Sequence, residues 1–385
     1  MKKTLSLLTA FLAFAPFSSK AESKAGGLQL SGNIDVVTGW QHDDSNALGT
    51  PVGGQLGWFR GATAPKHDTF NFYLDQVELD LNKTYGENIR MRADIDLGRE
   101  LSGTGRNTEG FNMSLEQAYV TVGVGGAELL VGRFNVPIGY YVVDRADNPT
   151  ISFSNIFNYV TPANATGAKL YYSFNDLVDL NVYVVNNLAD SVAFGNPIAG
   201  GTTVNPGGLA SYSAIPSYGM RLGFNWGKDN TKSTVGFSYA GGPERFGCNG
   251  GGSSCNKHLT NLADLDFAVK FTPEFLLAGE LVYRQDNSNI LGIKNDKVWG
   301  GFVVANYDLN EAWRVFFRYG FLQDRSGYYT ATNQNMHDFA LGLGYQITDG
   351  AKLKLEYSPT IFDPRGTGAK TSWSHGFAAE LAYNF

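Results

Sequence analysis

From about residue 27 onward, apolar and polar residues alternate with period two. Residues 28–40 set Leu28, Leu30, Ile34, Val36 and Trp40 on one face, against Gln29, Ser31, Asn33 and Asp35 on the other. That is the pattern of a β-strand with one apolar face. Residues 88–97 repeat it more cleanly. Ile89, Met91, Ala93, Ile95 and Leu97 alternate with Asn88, Arg90, Arg92, Asp94 and Asp96. Four charges in succession on one face do not fit the inside of a sandwich. They fit a strand with lipid on one side and water on the other.

Sixteen such segments are expected, near 27–41, 69–83, 87–98, 112–123, 127–135, 166–174, 177–186, 216–227, 232–241, 259–271, 275–285, 297–307, 312–323, 336–346, 351–358 and 372–385. The gaps between them alternate in length. Seven are tight turns, such as Asn175-Asp176 and Thr348-Asp349-Gly350. Eight are long, at 42–68, 99–111, 136–165, 187–215, 242–258, 286–296, 324–335 and 359–371. Sorting by length puts all tight turns at one end and all long loops at the other. This predicts an all-β protein: a transmembrane antiparallel up-and-down β-barrel of about 16 strands, with short periplasmic turns and long extracellular loops.

The aromatic residues agree. Tyr218 and Trp226, Phe275 and Tyr283, Trp299 and Tyr307, and Trp313 and Phe321 each lie eight positions apart on an apolar face. At ~3.3 Å per residue and a tilt of ~40°, eight positions cover about 20 Å of the membrane normal, close to the ~25 Å apolar band between aromatic girdles. Two segments shift phase. In 70–81, Phe70, Phe72 and Leu74 are even, whereas Val77, Leu79 and Leu81 are odd, which predicts a bulge or apolar side chains turned into the lumen. Residues 111–122 behave likewise, and Asp75-Gln76-Val77 resembles Glu116-Gln117-Ala118. The last segment alternates to a terminal aromatic, with Leu381, Tyr383 and Phe385 on one face. Tyr383 and Phe385 resemble the assembly signal of bacterial outer-membrane barrels, which implies insertion by the barrel-assembly machinery.

The N-terminus adds a compartment. Met1-Lys2-Lys3, an apolar stretch from Leu5 to Phe17, and Ser19-Lys20-Ala21 make residues 1–21 a secretory signal peptide. Residues 22–385 then form one barrel domain in the outer membrane. Without residues 1–21 the chain keeps 27 basic and 36 acidic residues. That acidic balance opposes nucleic-acid binding by a basic face. Only 17% of residues are charged, against roughly a quarter in a soluble protein, and 14% are aromatic. Cys248 and Cys255 flank a Gly/Ser-rich loop and are expected as a disulfide in an oxidising compartment. No metal site and no cofactor are expected.

One stretch is more specific. Val131-Gly132-Arg133-Phe134-Asn135-Val136-Pro137-Ile138-Gly139-Tyr140 ends the fifth segment, and Thr161-Pro162-Ala163-Asn164-Ala165-Thr166-Gly167 opens the sixth. These residues, with Gln117-Ala118-Tyr119-Val120, resemble the OmpL-like outer-membrane porins and, more loosely, the phosphate-selective porins. One departure is Tyr141, where relatives often carry Glu. The resemblance implies a passive diffusion channel for small hydrophilic solutes or ions, with the third loop, 136–165, folded into the lumen.

Read by phase, the lumen carries both signs. Arg133, Asp144, Arg145 and Asp147 belong to or adjoin the third loop and are the expected constriction. Arg90, Arg92, Asp94, Asp96, Lys169, Arg221, Asp264, Asp266, Glu280, Arg284, Arg314, Arg318 and Glu356 are the expected pore-lining charges. The mixture gives no preference for anions or cations, and oligomeric state stays open. Two other readings compete with a channel. One is a surface adhesin or anchor that only presents its loops. The other is an omptin-like hydrolase using His42 or His337 beside its neighbouring acids. Ser374 and His375 are adjacent in a strand and face opposite ways, so they make no catalytic pair.

Overall fold

The computed structural model describes residues 23–25, 27–43, 67–97, 113–186, 188, 215–243, 259–287, 296–325, 333–365 and 370–385. The expected signal peptide and the cysteine pair Cys248 and Cys255 lie outside the described residues. Sixteen strands follow one another in the chain. They are β1 (Leu28–Asp43), β2 (His67–Tyr85), β3 (Ile89–Leu97), β4 (Met113–Val124), β5 (Ala127–Asn135), β6 (Asn164–Ser173), β7 (Val178–Val185) and β8 (Ser217–Trp226). Then come β9 (Ser233–Pro243), β10 (Leu259–Lys270), β11 (Phe275–Asn287), β12 (Asp296–Asp308), β13 (Trp313–Asp324), β14 (Gln334–Gln346), β15 (Ala351–Pro364) and β16 (Ser372–Asn384).

Each strand pairs antiparallel with its sequence neighbour, and β16 pairs with β1 through Leu381↔Val36 and its neighbours, closing the ring. Backbone hydrogen bonds between Gly32 and Phe385, 3.0 Å in both directions, finish the seam. Closure removes every sheet edge, the condition for strands to cross lipid. Ser23–Ala25 folds back on Leu28–Leu30 as a short hairpin beside β1. Seven links are tight turns at one end, and the longer links lie at the other. This is the topology the alternation predicted.

The lipid face is as expected. Ile34, Val36, Phe377, Leu381 and Tyr383 point outward, as do Tyr218, Trp226, Tyr283, Trp299, Tyr307 and Trp313 of the aromatic pairs. Both phase shifts are bulges. On β2, Asp35 pairs with Gln76 and Val36 with Leu74, so Asp75 is the extra residue. On β4, Asp94 pairs with Gln117 and Ile95 with Leu115, so Glu116 is extra. A bulge turns two successive side chains to the same side. Hence Asp75 and Gln76, and Glu116 and Gln117, are both buried inside.

One expected boundary needs correction. β15 runs to Pro364, six residues past the expected end. Pro359 hides the continuation because it has no N–H to give. The β14–β15 ladder accordingly has a gap between Asp338↔Thr360 and Leu341↔Tyr357. Of the histidines offered for a hydrolase, His42 is partly exposed with its Nδ1 2.8 Å from Asp68. His42 and His337 sit within β1 and β14, among outward aromatics. His42 stacks on Trp40, and His337 on Tyr319, whose hydroxyl is 3.0 Å from its Nδ1. Asp338 points the other way, into the lumen.

The third loop as candidate functional site

The link between β5 and β6, residues 136–163, turns inward. Its ends are zipped by Asn135↔Asn164 and by the Val136 amide on the Ala163 carbonyl (2.8 Å). Every residue from Ile151 to Ala163 is buried. A one-turn helix, α1 (Asn155–Tyr159), is capped by Ser154 Oγ, which accepts from the Phe157 amide. It packs on β12 and β13. Phe153 stacks on Phe157 at 4.5 Å, and Tyr141 meets Phe302 of β12 at 4.9 Å. An apolar core thus forms inside the barrel, between loop and wall.

Three sets of polar anchors fix the loop. The first explains the Pro137-x-Gly139-Tyr140 segment. Gly139 has φ +86°, and a Cβ there would come within 2.6 Å of Glu280 Oε2. Only glycine suits this bend. It aims two successive amides at carboxylates: Gly139 N at Asp264 (3.3 Å) and Tyr140 N at Glu280 (2.9 Å). Thr161 donates to the same Glu280 (2.9 Å), and Arg284 donates to the Val160 carbonyl (3.0 Å).

The second set centres on Arg318 of β13, which is fully buried. Its Nε donates to Asp338 (3.0 Å). Its other nitrogens donate to the Tyr141 hydroxyl (2.9 Å), Thr150 Oγ1 (3.0 Å), and the Ser152 carbonyl and hydroxyl. Tyr141, the departure from the family pattern, therefore receives one arm of this arginine. Glu356 of β15 accepts the Ile151 amide (2.6 Å), the Ser152 amide (3.1 Å) and the Ser152 hydroxyl. Asp338 also accepts the Asn155 amide (3.2 Å).

The third set holds the 3-10 turn Arg145–Asp147. Arg145 is buried on Asp75, the bulged residue of β2, at 2.7 Å. Lys352 and Lys354 donate to the Ala146 carbonyl. Gln76 donates to Asp144 (2.8 Å) and to Asp96 (2.7 Å). Burial, with Asp147 and Asp96 nearby, pushes the Asp144 carboxyl up to about 7.

The barrel encloses a loop nailed to strands on opposite sides of its lumen, and the sequence agrees with that architecture. Residues 27–385 match the family described as "Putative beta-barrel porin-2, OmpL-like". The chain belongs to the OmpL-like porins. No curated protein sequence matches it. Among solved structures, the fold is similar to the outer membrane channel DcaP of Acinetobacter baumannii (TM-score 0.66, 11% identity, 94% of this chain and 99% of that one). It is also similar to the anion-selective porin from Comamonas acidovorans (TM-score 0.58, 13% identity, 93% and 99%). A third is OprB of Pseudomonas putida (TM-score 0.57, 11% identity, 92% and 94%). The porin is an integral outer-membrane channel.

The expected charges of the porin divide by what faces them. Asp264, Glu280, Arg284, Arg318 and Glu356 point into the lumen as the alternation predicts, but the third loop covers them and they serve as its anchors. Arg145 is likewise an anchor. Arg133 is half-buried and donates to the Glu116 carbonyl (3.1 Å). Others keep partial access to solvent. These include the pairs Arg90–Glu128 (2.5 Å), Arg314–Asp308 (2.5 Å) and Lys352–Asp147 (3.8 Å), and Arg221 on Asp266 (2.7 Å). Beneath the loop, Tyr140, Asp147, Arg314 and Lys352 line a pocket that reaches the turn at 309–312. Lys169 is buried over the Phe134 ring, 5.0 Å from its centroid.

Across the lumen, β1 to β4 carry Glu78, Asp80, Asp94 and Asp96, joined by Glu116 and by Asp144 of the loop. Neutral donors reach several of them: Asn33 on Glu78 (2.6 Å), Ser31 on Asp80 (2.9 Å), Gln117 on Asp94 (2.7 Å) and Asn135 on Glu116 (2.9 Å). Arg92 brings a positive charge to Asp94 (2.8 Å) and Asp80 (3.5 Å). Sequence reasoning noted Asp75-Gln76 and Glu116 only as a local resemblance and did not place them, or Asp338, among the pore charges. The phase shifts in β2 and β4 were the signal for the first three.

Proposed function

We propose that loop 136–163 is the constriction of this outer-membrane channel, and that small hydrophilic solutes and ions diffuse past it through water. The supporting observation is the anchoring of the loop to β2, β10, β11, β13 and β15, which fixes its position across the lumen. A loop meant only for display outside the cell needs no such anchors. The passage is flanked by the partly exposed Arg90, Arg92, Asp147, Arg314 and Lys352, whose field biases which solutes enter. The outward Tyr383 and the terminal Phe385 fit recognition by the barrel-assembly machinery.

The test is reconstitution of the refolded porin in planar bilayers. Stepwise conductance is expected, and loosening the loop should enlarge the step. A protein that inserts, yet shows no steps, would defeat the channel reading and favour a surface anchor.

A further inference from the structure

We propose that Glu78, Glu116 and Asp144 form a divalent-cation site that clasps the third loop to the bulged strands. The three residues come from separate segments: β2, the bulge of β4, and the loop. Each offers one carboxylate oxygen, and all three oxygens lie within 4.8 Å of one another. A calcium ion sits about 2.3–2.6 Å from its oxygen ligands, so one ion reaches oxygens up to about 5 Å apart. Carboxylate oxygens are hard donors and select calcium or magnesium over softer metals.

The way Glu78 is held points to a missing partner. Each of the three carboxylates is oriented by an amide: Glu78 by Asn33 (2.6 Å), Glu116 by Asn135 (2.9 Å) and Asp144 by Gln76 (2.8 Å). Amides orient a carboxylate without neutralising it. Glu78 is only 2% exposed, and its Oε1 has no hydrogen-bond partner. A buried carboxylate oxygen left bare is costly, and a cation among three such groups removes both the bare oxygen and the mutual repulsion. On β11, β14 and β15, Glu280, Asp338 and Glu356 meet backbone amides or arginine instead. Glu78 also lies within the same 4.8 Å span of Asp80 and Asp94, but Arg92 already occupies that side. The site therefore falls on the side of Glu116 and Asp144.

Binding is read in detergent, independently of conduction, so failure here leaves the channel reading untouched. The refolded full-length barrel is stripped with a chelator and titrated with calcium chloride by calorimetry. One saturable equivalent is expected, together with a rise in thermal midpoint. Glu78→Gln and Asp144→Asn should each weaken binding by about tenfold or more, since affinity follows the charge of the ligand set. Asp144 lies on the loop rather than in a strand, so its variant keeps the test valid if Glu78→Gln fails to fold. Glu274→Gln, in a periplasmic turn, should bind as the unmodified protein does. Absence of saturable binding would overturn the proposal. So would binding unchanged in both Glu78→Gln and Asp144→Asn.

Discussion

The two sides of the lumen use the same residue types for different ends. On β10 to β15, each anchoring carboxylate meets a donor from the third loop or a buried arginine: Glu280 the Tyr140 amide, Glu356 the Ile151 amide, Asp338 the Arg318 guanidinium. On β1 to β4, carboxylates gather near one another, and several are held by neutral amides and hydroxyls. An inward strand position fixes only which way a charge points. The group opposite decides whether it becomes a structural anchor or part of an electrostatic surface. The loop is fastened on both sides, by Asp75 and Gln76 of β2 as well as by β10 to β15, but the acids that gather without touching it lie on β2 and β3.

This contrast is broken most severely at Arg318. Arg318→Ala strips Asp338, Tyr141 and the Ser152 carbonyl of their shared donor, and removing one partner of a buried ion pair costs about 3–5 kcal/mol. The thermal midpoint should fall, and surviving channels should show larger, noisier steps in single-channel recordings. Arg318→Lys should rescue little, because lysine cannot reproduce the planar fork. Next comes Glu356→Gln, which weakens charge-assisted bonds worth about 1.5–3 kcal/mol. Hydrogen exchange at Ile151 and Ser152 should accelerate while exchange in β15 stays slow. Gly139→Ala is expected to cost about 1–3 kcal/mol through the left-handed backbone and the approach to Glu280, read as a lowered midpoint.

On the other side the expected effects are electrical. Arg92→Gln removes the positive charge beside Asp80 and Asp94, and the reversal potential in a salt gradient should move toward cations. A shift toward anions, or none, would show that Arg92 does not act on the permeating ions. The smallest effect belongs to the lipid-facing rim. His337→Ala loses a contact with Tyr319 and should change stability by under about 1 kcal/mol, with conductance unaltered.

Much of this was written in the alternation. Lipid-facing Ile34, Val36 and Leu381 and lumen-facing Asp94 and Asp96 share one rule, and the turns that separate strands are rich in glycine, asparagine and aspartate. The bulges were legible as phase shifts, because an extra residue moves every later side chain to the other face. What alternation does not carry is distance across the lumen. Arg318 and Arg314 look alike in sequence, four positions apart on one face. Only the fold shows that Arg318 lies under the third loop while Arg314 pairs with Asp308 beside the pocket. Tyr141 was visible as a departure, but its bond to Arg318 depends on a strand that begins more than 170 residues later.

The reach of the third loop along the chain has a consequence for maturation. Ile151 and Ser152 bond to Glu356 across sequence separations of 205 and 204 residues, and Arg145 meets Lys354 across 209. Such contacts raise the contact order of the fold, which slows folding because loop-closure entropy must be met before they form. The seam that closes the ring reaches further still, from Val36 of β1 to Leu381 of β16. Ring and inner loop are therefore both closed by long-range contacts, and maturation of the barrel is expected to be slow.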